Sequence, residues 1–475
     1  MLFNSAAFLL FFPIVCVLYF VLPHRFRYLL LLVAGYAFYA AADLKALPVL
    51  LLTTLVTWIG GRMLYEGKKA GFVALVLSIG ILCFFKYCAY VCTLFGAGEV
   101  SIMLPAGISF YTFQSVTYLM DCHRKVCKPE RNFLKYALFV SFFPTILSGP
   151  IARAQHLLPQ FDEEHDFDTL RAKEGLAFML WGYFLKMVIV SRLTILTDLV
   201  FGDQTMRGLS VLIAILAYSF QIYGDFAGYS FIAIGCAKIM GFTLPQNFRQ
   251  PYLTVSVADF WRRWHISLSS WFKDYLYIPL GGNRKGKLRR YLNIMIVFLL
   301  SGVWHGANIT FLFWGALNGI YQVAAGLVRD LFGGGSSKGT GTGHEAAGGS
   351  AMKSLRWGKI IATFLLMTLT WVFFRAPHIT DAFATLERLC GPYITALTDG
   401  TVFTLGLGVK NLVFVIAALI LLIVADISCE KKGCDVSGLL ANVKLPVRWA
   451  LYYLVIIMIL FSCNLSMQEF LYSKF

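Results

Sequence analysis

The chain has 475 residues, 58% of them hydrophobic, and a formal net charge of +16 carried on only 14% charged side chains. Charge this sparse, against roughly 25% in an average soluble domain, excludes a soluble globular chain and points to an integral membrane protein. The positive excess does not call for a nucleic-acid partner, because Lys and Arg fall in short loops between apolar runs, the positive-inside pattern of cytoplasmic loops.

Taken in chain order, spanning helices are expected near 6–22, 28–42, 46–60 and 70–93, where apolar runs approach the roughly 17–25 residues that cross a bilayer. The runs are continuous rather than alternating, which argues against a β-barrel. The segment Ala6 to Leu22 reads as a span and not a signal peptide, since no basic region precedes it and no small-residue cleavage site follows. The stretch "LPAGISFYTFQSVTYLMD" (104–121) is too polar and too broken by Pro105 and Gly107 for a simple span, and reads as a re-entrant or interfacial piece. Further spans are expected near 133–149, 176–201, 209–223 and 229–241. The aromatic and basic stretch 247–282 is a second re-entrant or interfacial candidate, followed by spans near 291–304, 309–327, 359–374, 411–427 and 447–463. Basic "HRFR" (24–27) after the first span, and the basic loop 429–448 before the last, put both termini outside, so an even count of about 12 crossings is expected. The chain divides into a core (1–332), a flexible Gly/Ser-rich cytoplasmic linker (333–350), further spanning helices (351–465) and an extracellular tail (466–475). No internal repeat is evident. The eleven cysteines form no CxxC pair and no zinc-like spacing with histidine, so neither a metal nor a disulfide framework is expected.

Several polar residues stand where membrane burial is costly. Drawn as one helix, "DFWRRWHISLSSWFKDYLYIPL" places His265 with Trp261, Leu268 and Phe272 on an apolar face, and Arg262 close to Lys273 on another. Asp259 is within pairing reach of Arg262 and Arg263. An interfacial helix with snorkelling cations accounts for the charges but leaves His265 poorly explained. In "LLSGVWHGANITF", His305, with Trp304 beside it, interrupts two apolar runs and is flanked by Gly302 and Gly306. An ionisable group at such a depth is by default functional; a core histidine bonded to a backbone carbonyl is the alternative. Asn308 is a helix cap or a site residue. Asp225 lies between Tyr223 and Tyr229, and Arg153 follows the broken segment "FFPTILSGPIARAQH"; for Asp225 an N-cap or a salt bridge to a buried arginine competes with catalysis. No GxSxG, P-loop or dinucleotide fingerprint occurs.

With these residues in view, "FWRRWHISLSSWFKDYLYIPLGGNRKG" and "WHGAN" resemble the membrane-bound O-acyltransferase (MBOAT) superfamily. "LPAGISFYTFQSVTYLMD", "FFPTILSGPIARAQHLLPQF" and "YGDFAGYSFIAIG" resemble its bacterial alginate O-acetyltransferase branch. The resemblance covers roughly residues 1–325. It implies an all-α polytopic fold around a central tunnel, in the bacterial cytoplasmic membrane. An acyl group would pass from a cytosolic thioester (acetyl-CoA or an acyl carrier protein) to an acceptor outside. It implies His305 as the catalytic residue and His265 as the second essential polar group. A neutral imidazole, with an ordinary pKa of about 6.5, suits removal of a proton from an attacking hydroxyl. No bound cofactor or metal is required, because the thioester is already activated.

The last residues, "FLYSKF", fit an F-x-Y-x-x-F pattern that resembles the tail of alginate-type acyltransferases and also that of a small separate subunit in teichoic-acid D-alanylation systems; its fusion to this chain favours the alginate-like branch. Tyr472 would relay the acyl group, with Phe470 and Phe475 seating the tail. A phenol, with pKa near 10, is close enough to a thiol, near 8.5, for an aryl ester to keep much of the thioester's transfer potential. Five extended residues span about 17 Å, enough to reach the middle of a roughly 30 Å hydrocarbon core. An interfacial aromatic anchor is the bland reading of the same residues. The expected function is acetyl transfer to an exported or cell-surface polysaccharide, with an extracellular or periplasmic O-acetyltransferase partner. D-alanyl transfer to teichoic acid is the alternative. A polysaccharide or lipid transporter is the rival of another class, and a scaffold for an extracellular transferase the non-enzymatic one.

Overall fold

The computed structural model describes residues 1–96, 102–332, 350–391, 393–398 and 400–462, and these contain helices and no strand. The expected linker, and Phe470, Tyr472 and Phe475 of the tail, lie outside the described residues.

In chain order the helices are α1 (Ala6–Val21), α2 (His24–Asp43), α3 (Leu47–Tyr65), α4 (Gly71–Leu94), α5 (Ile108–His123), α6 (Phe133–Ser141), α7 (Ala154–Gln160), α8 (Thr169–Tyr183), α9 (Ser191–Gly202) and α10 (Leu209–Met240). After them come α11 (Val257–Arg263), α12 (Ile266–Phe272), α13 (Gly286–His305), α14 (Ile309–Phe332), α15 (Ser350–Arg375), α16 (Ile379–Glu387), α17 (Ile394–Thr398), α18 (Gly408–Lys432), α19 (Val436–Ala441) and α20 (Leu445–Leu460). Seven of them (α2, α3, α4, α10, α14, α15 and α18) are long and apolar enough to cross a membrane, and α1 and α20 are shorter apolar helices. Their outer faces are apolar: Leu10, Ile14 and Val21 of α1 and Val413, Ile420 and Val424 of α18 are all more than half exposed. Faces of that kind are stable against lipid and not against water.

Two compact units make up the chain. The first comprises Met1–Arg192, Gln221–Asn247 and Cys434–Phe475; the second comprises Leu193–Phe220 and Phe248–Gly433. In the first unit α5 packs on α3 and α4, and fourteen of its residues are buried. The polar stretch expected to be re-entrant is thus a helix sheathed by protein, which is how Thr112, Gln114 and Ser115 are accommodated. The segments expected as separate spans near 209–223 and 229–241 are one helix, α10. Gly224 and Gly228 do not break it: Gly228 lets α8 approach, since a Cβ on Gly182 would lie 2.6 Å from the Gly228 carbonyl oxygen, and a Cβ on Gly224 would meet the Val190 side chain at 3.0 Å. Between α8 and α9 the helix widens into a π-helical turn, Phe184–Val190.

In the second unit α13 and α14 form a close antiparallel-connected pair, joined by Gly306–Asn308. A Cβ on Gly302 would lie 2.4 Å from the Phe311 carbonyl oxygen, so only glycine permits that contact. The stretch expected as one helix from Asp259 is interrupted. α11 ends at Arg263, His265 takes a left-handed conformation (φ 45°, ψ 55°), α12 follows, and a π turn spans Lys273–Tyr277.

Candidate active site

His265 caps α12: its carbonyl oxygen accepts from the Ser269 N–H at 2.9 Å. A left-handed residue other than glycine costs on the order of 1–3 kcal/mol and persists only where surroundings enforce it. The enforcement is visible in Trp264, 1% exposed, which stacks on Phe260 and packs against Phe248, Tyr252 and Trp371. With the indole locked on one side, the turn directs His265 into the interior, where it is 1% exposed. His265 belongs to none of the candidate spans, and burial among protein atoms pushes its imidazole down to about 3, so it is neutral near pH 7.

His305 is the last residue of α13 and is buried. Its ring lies 5.0 Å edge-on to Trp314, 5.0 Å from Phe374 and 4.6 Å from Trp304. Trp304 in turn lies 6.3 Å from the His265 ring. The two histidines, forty residues apart in sequence, therefore share one indole as neighbour. Trp261, Trp314 and Trp371 extend the aromatic shell, and Trp261 Nε1 donates to Asn318 Oδ1 at 3.3 Å.

Beside this pair lies a cleft of roughly 450 Å³. Arg262, Lys273 and Ser270 supply its polar lining, and Trp261, Val297 and Phe298 its apolar wall. Neither imidazole lines it, but Ile266, next to His265, and Ser301, one turn before His305, do. Arg262 and Lys273 meet there although the single-helix geometry expected for them is absent. Their convergence comes from the break at His265 and the π turn at Lys273.

The other sequence candidates play other parts. Asn308 starts α14: its side chain accepts from the Thr310 N–H at 3.1 Å and donates to the Pro377 carbonyl, the capping role. Asp225 and Arg153 belong to the first unit. Asp225 forms a buried ion pair with Lys186 of the π turn, so of the alternatives weighed from sequence the salt bridge is present, with a lysine in place of an arginine. Arg153 is the residue before α7. In the basic run 283–290, Arg290 and Lys287 pair with Asp330 at 2.7 and 3.8 Å, while Arg284 and Lys285 are exposed. Sequence reasoning missed Lys186, although a lone lysine in "WGYFLKMVIV" is itself a request for a buried anion. It missed Trp314, Trp371 and Phe374 for lack of any local signal.

A helical chain with long apolar helices whose outer faces are apolar is a multi-pass membrane protein. Residues 129–333 match the model of MBOAT, the membrane-bound O-acyltransferase family. A probable alginate O-acetylase, AlgI, of Pseudomonas aeruginosa is 37% identical over 408 residues, 82% of this chain and 75% of the relative. A peptidoglycan O-acetyltransferase of Helicobacter pylori is 33% identical over 436 residues, 82% of this chain and 80% of the relative. A teichoic acid D-alanyltransferase of Bacillus subtilis is 29% identical over 231 residues, 45% of this chain and 57% of the relative. The chain belongs to the membrane-bound O-acyltransferase family and is an acyltransferase, not the transporter or the scaffold weighed from sequence.

Proposed function

We infer that the protein moves an acetyl group from a cytosolic thioester across the bacterial cytoplasmic membrane for O-acetylation of an exported or cell-surface polysaccharide. The observation that carries the reading is the meeting of His265 and His305 on the Trp304 indole beside the Arg262–Lys273 cleft. The cleft is the donor entrance: its cations suit the phosphate of acetyl-CoA or of a carrier protein's phosphopantetheine, and its apolar wall suits the uncharged arm.

His305 is the general base. The acceptor oxygen attacks the thioester carbonyl carbon while its proton passes to the neutral imidazole. The tetrahedral intermediate then breaks its C–S bond, and the leaving thiolate takes the proton back and departs as thiol. His265, neutral and held rigid, orients the donor carbonyl or the acceptor hydroxyl. The first acceptor is the Tyr472 phenol, with Phe470 and Phe475 seating the tail. An extracellular transferase then receives the acetyl group and delivers it to the polysaccharide, with both termini of the chain outside. D-alanyl transfer is the second reading, supported by the shorter likeness to a teichoic acid enzyme.

The test uses proteoliposomes and a thioester labelled in its acetyl group. Label is expected on Tyr472 of the wild-type chain, found by peptide mass spectrometry, and absent from Tyr472→Phe and His305→Ala. A Tyr472→Phe protein that supports polysaccharide acetylation at the wild-type rate sinks the relay. Labelling by a D-alanyl but not an acetyl thioester hands the assignment to the second reading.

A further inference from the structure

A second cleft, of roughly 330 Å³, lies in the second unit between the start of α15 and the end of α18. Leu253, Trp357, Ile360 and Ile427 form its apolar side, and Arg356, Glu430 and Lys431 its charged side. The charges are unevenly matched. Glu430 Oε2 receives Arg263 at 2.6 Å, and Arg263 also meets Asp259 at 3.2 Å. Arg356 reaches Glu430 Oε1 only at 3.9 Å and is about half exposed. The lining of the cleft thus holds two cations, Arg356 and Lys431, against one carboxylate, Glu430, which already pairs with Arg263.

The position of the cleft limits what can occupy it. The candidate spans are Ser354–Arg375 and Gly408–Lys432, so Arg356 and Lys431 stand at the same end of two membrane helices. "KSLRWGK" and "CEKKG" make that end cytosolic by the positive-inside rule. Trp357 is 48% exposed, as suits an interfacial indole, and below it Ile361, Leu365 and Val424 continue an exposed apolar face. A basic pocket between helix ends, opening onto such a face, has the shape and charge of an anionic lipid headgroup site.

We propose that this cleft binds one anionic phospholipid, its phosphate between Arg356 and Lys431 and its acyl chains along α15 and α18. The phosphate competes with Glu430 for Arg356, leaving Glu430 to Arg263, two residues before the left-handed turn at His265. The site therefore joins membrane composition to the segment that carries His265, an effect on activity that rests on the proposed function, whereas binding itself does not.

The test is lipid retention by the full-length protein in detergent, read by native mass spectrometry with phosphatidylglycerol or phosphatidylcholine added. Wild type is expected to retain one phosphatidylglycerol that Arg356→Gln/Lys431→Gln holds about ten- to thirty-fold more weakly, from roughly 1 kcal/mol for each cation lost. Both side chains are exposed, and unchanged thermal melting checks that the variant is folded. Arg284→Gln/Lys285→Gln removes equal charge elsewhere and is expected to retain the lipid. Equal retention by wild type and the Arg356/Lys431 variant overturns the proposal, as does equal loss from the Arg284/Lys285 control or equal binding of phosphatidylcholine. Displacement by low-millimolar inorganic phosphate also overturns it, making the cleft a soluble-phosphate site.

Discussion

Replacing Asp225 by leucine leaves the Lys186 ammonium in a place where both side chains are nearly inaccessible, 1% and 6% exposed. Two unit charges near 4 Å attract by about 4 kcal/mol at an effective dielectric of 20, and breaking one partner of a buried pair costs about 3–5 kcal/mol. The same cost applies to Lys186→Met, which removes the carboxylate's cation. Removing both charges leaves neither without its opposite, so Lys186→Met/Asp225→Leu should recover most of the loss. For a chain of 475 residues a loss of 3–5 kcal/mol corresponds to a fall in Tm of roughly 3–5 °C. The assay is thermal melting of the three variants in one detergent, with acetyl transfer measured on the same preparations. Singles that melt with wild type, or a double variant whose loss is the sum of both, would refute the ion-pair argument. A stable but inactive double variant would move Asp225 from the frame into the chemistry.

His305→Ala should lower acetyl transfer about 10²–10⁴-fold, roughly 3–5 kcal/mol of barrier, with normal membrane expression; transfer near wild type would remove it as the base. Arg262→Gln/Lys273→Gln should raise the KM for the thioester ~10–100-fold while kcat changes little, read by initial rates over a donor series at physiological salt. Gly302→Ala places a Cβ 2.4 Å from the Phe311 carbonyl oxygen, backbone that yields poorly, and should cost about 1–3 kcal/mol in thermal melting. Because burial lowers the His265 pKa to about 3, against about 6.5 unfolded, the unfolded chain binds the extra proton as pH falls below 6.5. The stability contributed by the neutral ring is full above pH 6.5 and is lost toward pH 3. His265→Asn should therefore show a shallower fall of Tm between pH 6.5 and 4.5 than wild type.

What the sequence disclosed follows from what each physical constraint leaves in a local pattern. Burying apolar helices in lipid requires long apolar runs, so the helical class and the spans α2, α3, α4, α14, α15 and α18 were legible. The expected gap in α10 was misread because Asp225 and two glycines imitate a break. The polarity there is cancelled by Lys186, thirty-nine residues away, and the glycines serve the approach of α8 and of the π turn that follows it. The two histidines stood out because an imidazole in an apolar stretch needs a reason. Their common neighbour was unreadable, since it depends on the left-handed turn at His265, for which no glycine or asparagine gave notice. That turn is imposed from outside the segment: Trp371, more than a hundred residues later, packs on Trp264 on one side of the break and on Trp314 near His305. Tertiary packing has thus overridden the local preference at the one place where an uninterrupted helix would have carried His265 and Arg262 away from their present neighbours. A constraint of that kind leaves its trace in the identity of a distant aromatic residue, which a single sequence does not distinguish from any other tryptophan in an apolar helix.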